Sequence, residues 1–231
     1  MIGIIGAMDS EVKHLTECLE NCKTSVISGM TFYEGKLNQK DVVVVKSGIG
    51  KVNAALCAQV LILNFKVEKI INTGIAGATG KGLKVFDFVV STEAVYHDFD
   101  TTAFGYKVGQ VPGLPASFEA DKELVKKALE IFKQTDFSKE HSIQSGLIAS
   151  GDQFISGGER KDFIKNTFKP FCVEMEGCAI AHTCYINKVP FVIIRCMSDM
   201  ADDDVEQTYS FNEETCAKAS SEFVEAFVKS I

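Results

Sequence analysis

What most constrains this chain is the recurrence of short apolar runs, each ending in a glycine- or acid-bearing turn before a helical pattern resumes. Ile2 to Gly6 is too brief for a helix, and Val12, Leu15 and Leu19 then recur at helical spacing behind Asp9, a residue suited to an N-cap. Thr31 to Leu37 and Asp41 to Lys46 flank Asn38-Gln39-Lys40 and predict an antiparallel hairpin. Residues 51–65 read as a helix, with strands at 68–72 and 86–91 on either side of a loop formed by GIAGATGKG. Leu124, Val125, Ala128, Leu129 and Phe132 mark one helical face, and further strands are predicted at 145–149, 171–173 and 191–196. Ser210 and Glu213 have capping-box spacing ahead of a helix carrying Cys216, Ala219, Phe223 and Phe227. Strands alternating with helices, plus one hairpin, predict an α/β fold: a twisted mixed β-sheet flanked by helices on both faces. No internal repeat or low-complexity stretch suggests a boundary, so one domain over residues 1–231 is expected.

Composition narrows the function classes. A chain of this length buries roughly 70–75% of its unfolded surface and needs no disulfide or metal staple. No apolar run reaches membrane-spanning length. The net charge is −7 and the only arginines are Arg160 and Arg195, which removes the basic patch a phosphate backbone requires; neither membrane nor nucleic acid is expected as a partner. The eight cysteines include no CxxC pair, so they read as free, mostly buried thiols. MIGIIGAMDSEV carries no basic region or long hydrophobic stretch, and with the free thiols this places the chain, as an expectation, in a reducing cytoplasm.

Ligands of open α/β sheets bind beyond the carboxyl ends of strands. Here those ends read Gly6-Ala7-Met8, Ser47-Gly48-Ile49-Gly50, Thr73-Gly74, Gly151-Asp152, Glu174-Met175-Glu176 and Met197-Ser198-Asp199. GIGKVNAA at 48–55 is a poor dinucleotide or Walker match and reads as a structural turn. Asp202, Asp203, Asp204 and Glu206 lack the alternation of a calcium loop and read as a solvated loop. His97 and Asp98, as neighbours in an extended segment, point opposite ways and suggest positioning or a surface role. His14, His141 and His182 show no HExxH-type spacing, and no metal or cofactor is expected. The segment 96–118, rich in glycine, proline and aromatics, reads as a long surface excursion, functional or interfacial.

Glu11, the Glu174/Glu176 pair and Asp199 place carboxylates at separate strand ends, with Arg195 beside them. Such acids either converge on an acid/base site or serve helix dipoles. GIIGAMDSEV, SGIGKVNAA, INTGIAG, YHDFDTTAFGYKVGQVPG, SGDQFI, VEMEG and RCMSDMAD, in this order along nearly the whole chain, resemble the 5′-methylthioadenosine/S-adenosylhomocysteine nucleosidases of the nucleoside phosphorylase superfamily.

The resemblance implies hydrolysis of the N-glycosidic bond of 5′-methylthioadenosine and S-adenosylhomocysteine, extending to 5′-deoxyadenosine, with release of adenine. It assigns Asp199 to protonation of adenine N7, oriented by Ser198, and Glu11 to the attacking water, a two-carboxylate division of labour. Glu176 would take the ribose hydroxyls, with Met175 beneath the sugar, Phe154 stacking on adenine, and Ile155 reading the purine edge. Met8, Ile49 and Phe211 are assigned to the 5′ arm, and Phe104 and Pro112 to a second subunit's pocket, which implies a homodimer. Ile75 stands where relatives commonly carry Ser, leaving the backbone of Ile75 and Ala76 for ligand contact, and Gly177 replaces a more usual Ala. Arg195 is expected at the acid-rich rim as a further substrate contact. Phosphorolysis would need a cradle of forked cations. One rim arginine does not make one, so water is the expected nucleophile; a purine nucleoside phosphorylase using lysine and a non-catalytic nucleoside sensor are the alternatives.

Overall fold

The computed structural model describes residues 1–202 and 205–231, the side chains of 205–207 excepted. Its strands are β1 (Ile2–Gly6), β2 (Glu20–Ile27), β3 (Met30–Leu37), β4 (Lys40–Lys46), β5 (Lys69–Ala78), β6 (Phe88–Tyr96), β7 (Phe118–Glu119), β8 (Ile143–Ser150), β9 (Cys172–Glu174) and β10 (Phe191–Asp199). Its α-helices are α1 (Asp9–Glu17), α2 (Lys51–Asn64), α3 (Lys122–Phe132), α4 (Gly158–Phe168), α5 (Gly177–Asn187) and α6 (Val205–Ser230). The mixed sheet runs β10-β6-β8-β9-β5-β1-β4-β3-β2, with β7 on β6.

Strand residues alternate between two cores. Ile5, Val43, Val45, Ile70 and Ile193 pack with Ala54, Leu61, Ile180 and Cys184 of α2 and α5. Ile4, Val42, Val44, Ile71, Val192 and Ile194 pack with Leu15, Leu124, Phe223 and Phe227 of α1, α3 and α6. Period-two alternation between two apolar faces is what a sheet covered on both sides demands, and the twisted mixed sheet with helices on both faces is the architecture found.

β5 decides where the site lies. Its first half pairs with β1 through Asn72, and its end pairs with β9 only from Gly77. Along its other edge it runs beside β10 throughout. Because β10 also pairs with β6, the strands β5, β10, β6, β8 and β9 close into a ring. Between Asn72 and Gly77 one edge of β5 therefore has no strand partner, and a side chain, the Glu11 carboxylate, takes the Ile75 amide at 3.0 Å. This change of partner opens the cleft in which the acids meet.

Several boundaries differ from expectation. The stretch GIAGA continues β5 instead of forming a loop, because Ile71, Ile75, Ala76 and Ala78 all find buried contacts. Met8, not Asp9, occupies the cap of α1; Glu11 reaches back to the Met8 amide at 3.1 Å. Helix α6 begins at Val205, so Ser210 lies inside it and caps nothing. β2 is a strand that sequence reasoning missed: its residues are nearly all exposed, which erases the alternation that reveals strands. Six cysteines are buried and free, while Cys18 is half-buried and Cys22 exposed. Among the described residues no helix is long and apolar enough to cross a membrane.

Candidate active site

A cleft of about 650 Å³, counting the space at its mouth, is lined by residues from four of the six predicted strand ends; at Thr73-Gly74 β5 runs on and supplies Ile75, Ala76 and Gly77, and beyond Gly151-Asp152 the next residues, Gln153 to Ile155, line it instead. Glu11, Glu176 and Asp199 line it together, with Met8, Ile49, Phe154, Ile155, Met175 and Ser198. Ala7, Gln153, Val173, Glu174 and Tyr209 line it too.

Glu11 is held by the turn from β1 into α1. Its Oε2 accepts the amides of Ala7 at 2.6 Å and Met8 at 3.1 Å, and its Oε1 accepts that of Ile75. Oε2 is saturated by its two amides, so Oε1 is the oxygen that keeps a lone pair for water. Burial pushes the Glu11 carboxyl up, against the lowering pull of Arg195 and of these amides. The carboxylate needs room at Gly74, where a Cβ would collide with Glu11 Oε1 and Arg195 Nη1.

Asp199 ends β10 and is 2% exposed. Ser198 Oγ donates to its Oδ2 at 2.7 Å and the Ala201 amide to its Oδ1 at 2.8 Å. Burial outweighs both donors and raises this carboxyl above the ordinary Asp range. Gly77 gives it space, since a Cβ there would stand 2.8 Å from Asp199 Oδ1.

The two acids of the β9–α5 turn have separate duties. Glu174 accepts the amides of Glu176 at 3.0 Å and Gly177 at 2.7 Å, the Ser150 hydroxyl, and Arg195 Nη2. Burial alone would raise Glu174, but Arg195, Ser150 and the Gly177 amide together leave it below the usual carboxylate range. Glu176 takes the Gly50 amide at 2.8 Å. Burial, reinforced by the Glu174 charge, pushes its carboxyl up to about 8.

Arg195 is placed differently from the expectation that it touches substrate. It is 0% exposed and absent from the lining, beneath the carboxylates and not at their rim. Nη2 bonds Asn72 Oδ1 at 2.7 Å, pairs with Glu174, and lies 3.8 Å from Glu176 Oε2. It is a counter-ion for the acid set; among the described residues no lysine or arginine lines the cleft.

Apolar side chains form the mouth. The Phe154 and Tyr209 rings meet edge to face at 5.4 Å, and the Tyr209 hydroxyl reaches Met8 Sδ at 3.5 Å. Sequence reasoning chose Phe211 for this wall, but α6 starts early enough that its phase turns Tyr209 inward and leaves Phe211 86% exposed, outside the lining. The motif GIGK is a structural turn: the Gly50 and Lys51 amides at the start of α2 are already occupied by the carboxylates of Glu176 and Asp152. Asp98 pairs with Lys51 at 2.6 Å, whereas His97 is buried against Gly151, which fits positioning and not a surface role. Phe104 is 80% exposed, and neither it nor Pro112 lines this chain's own cleft. Of the acidic run, Asp203, Asp204 and the Glu206 side chain lie outside the described residues.

An acid-lined cleft at a partner change in a mixed sheet is the arrangement of an enzyme that cleaves a bond by proton donation and water activation. The sequence matches the phosphorylase superfamily over residues 1–230. The 5′-methylthioadenosine/S-adenosylhomocysteine nucleosidase of Staphylococcus aureus strain JH9 is 43% identical over 232 residues, covering 100% of both chains. The nucleosidase of that name from Neisseria meningitidis, solved with methylthio-immucillin-A, superposes with a TM-score of 0.96 at 42% identity, covering 100% of this chain and 99% of the other. That of Colwellia psychrerythraea 34H, solved with adenine, gives 0.95 at 44% identity, with 98% and 93% covered. The chain belongs to the 5′-methylthioadenosine/S-adenosylhomocysteine nucleosidase family of that superfamily.

Proposed function

We propose that this chain, acting as one domain over residues 1–231, hydrolyses the N-glycosidic bond of 5′-methylthioadenosine and S-adenosylhomocysteine, releasing adenine and the 5-substituted ribose. The relatives carry the name of this activity, and the cleft has the groups the chemistry needs. Bond cleavage leaves positive charge on the sugar and negative charge on the purine. Asp199, kept protonated to higher pH by burial, donates to adenine N7, with Ser198 fixing the carboxyl. Glu11, its basicity raised by burial, orients and deprotonates water on the other side of the ribose. Glu176 accepts the ribose hydroxyls, over Met175. Phe154 faces adenine, Ile155 and the backbone of Ile75 and Ala76 frame base and sugar, and Met8, Ile49 and Tyr209 receive the thioether arm.

The observation that carries hydrolysis over phosphorolysis is the sequestration of Arg195: the guanidinium nearest the cleft is spent on Glu174 and Glu176, and an anion entering the cleft would meet carboxylates. Incubation with each nucleoside, with and without phosphate, tests this. Adenine and free 5-substituted ribose should form at a phosphate-independent rate; phosphate-driven release of the 5-substituted ribose 1-phosphate would overturn it.

The active unit in this reading is a homodimer, with Phe104 and Pro112 of the 96–118 excursion completing the neighbouring subunit's pocket. Exposed Val52 and Leu56 of α2 and exposed Tyr185 and Ile186 of α5 supply apolar surface, and those helices are tied together by Gln59 and Asn187 at 2.8 Å.

A further inference from the structure

On the face of the molecule formed by α1 and α6, three side chains of metal-ligating type converge. His14 and Cys18 are four residues apart on α1, and so on one face. Glu225 of α6 faces both. His14 Nε2 is 2.7 Å from Glu225 Oε2 and 3.8 Å from Cys18 Sγ, while Cys18 Sγ is 4.0 Å from the same carboxylate oxygen. Among the described residues this is the group of three histidine, cysteine or acidic residues whose ligand atoms all lie within 4.8 Å of one another.

We propose that His14, Cys18 and Glu225 form a binding site for a borderline-soft divalent cation of the zinc class, bridging α1 to α6. Imidazole, thiolate and carboxylate together favour such a metal over the hard, oxygen-seeking magnesium or calcium. With zinc bonds of about 2.0–2.2 Å to nitrogen and oxygen and about 2.3 Å to sulfur, tetrahedral geometry sets ligand separations of roughly 3.4–3.6 Å. The observed triangle brackets that range: His14 and Glu225 must part slightly to admit an ion, and Cys18 must move inward by a few tenths of an ångström. All three are partly open to solvent, His14 and Glu225 by 23% and 30% of their side chains, so an ion can enter and keep a water as fourth ligand. Glu225 is fixed from behind, its own backbone carbonyl accepting Asn38 Nδ2 at 3.2 Å. The site is separate from the cleft, although α1 carries Glu11 and α6 carries Tyr209.

The test uses the full chain, stripped with a chelator and titrated anaerobically with Co²⁺, then with Zn²⁺ in competition. A thiolate-to-cobalt charge-transfer band should grow to one equivalent and be abolished by Zn²⁺. Cys18→Ser should lack the band, Cys22→Ser should keep it, and His14→Gln and Glu225→Gln should each weaken Co²⁺ by at least the roughly 10–100-fold that loss of a second-shell partner costs. Zn²⁺ should raise the melting temperature of the parent chain but not of Cys18→Ser, whose metal-free melting temperature reports that it folds. A band that survives Cys18→Ser, or no band at one equivalent, would show that His14 and Glu225 are only a surface ion pair.

Discussion

Replacing Arg195 by Met removes a side chain of similar bulk and leaves buried carboxylates without their counter-ion. At an effective dielectric of about 20, the attraction across 3.8 Å to Glu176 alone has a ceiling of roughly 4 kcal/mol. Breaking one side of a buried pair costs about 3–5 kcal/mol, because the abandoned charge stays desolvated. Glu174 retains the Ser150 hydroxyl and the amides of Glu176 and Gly177, which places the loss near the lower end, about 3 kcal/mol. With a urea slope of about 3 kcal/mol/M, the unfolding midpoint should fall by about 1 M near pH 8. Glu174 sits below the ordinary carboxylate range in the parent, so its contribution is present above the unfolded pKa and lost as pH falls through the depressed value. In the variant that contribution is gone, and the gap between the two proteins should narrow on acidification. Arg195→Lys, which keeps the charge and loses the fork, should fall between them. Urea unfolding followed by circular dichroism at both pH values decides it: equal midpoints near pH 8 would mean that Arg195 does not neutralise the acids, and the argument against a phosphate cradle would lose its footing.

Asp199→Asn preserves an oxygen for the Ala201 amide and a partner for Ser198, so the chain should fold normally while adenine release slows by about 10²–10⁴-fold with nucleoside affinity retained; an active variant would remove Asp199 as the acid. Glu176 is protonated in the folded chain up to about 8 but ordinarily releases its proton near 4.5, so its contribution to stability is full below the lower value and lost as pH rises through the upper. Glu176→Gln should therefore flatten the decline of stability across this window by up to about 1.4 kcal/mol per pH unit, measured by urea unfolding; a slope unchanged from the parent would place the titration elsewhere.

Much of this architecture was legible because Val42 to Val45, Ile70 to Ile71 and Val192 to Ile194 are buried on both faces and leave continuous apolar runs. Glu11, Glu176 and Asp199 could be found because each stands where a strand ends, and a shared cleft is the usual fate of such positions. What could not be read depended on phase or on distance. The start of α6 moved a wall position from Phe211 to Tyr209, a matter of helical turn that no capping residue announced. Arg195 could be placed beside the acids but not beneath them, since depth comes from the pairing of β10 with both β5 and β6. The exposed edge β2 had no buried side to mark it. His14 and Cys18 are visible as a helical pair, whereas Glu225 joins them only after the sheet has folded the chain back.

The hydroxyl of Ser220 in α6 meets Thr73 Oγ1 at 2.9 Å and the Gly74 amide at 3.3 Å, fastening the reactive stretch of β5 from behind while Tyr209 of the same helix closes the mouth in front. A nascent polypeptide that has already laid down every acid of the cleft would still lack both fastenings until this closing helix leaves the ribosomal tunnel. Ordering of the cleft should thus wait for α6 to dock, which makes protection of the Gly74 amide from hydrogen exchange a reporter of that docking.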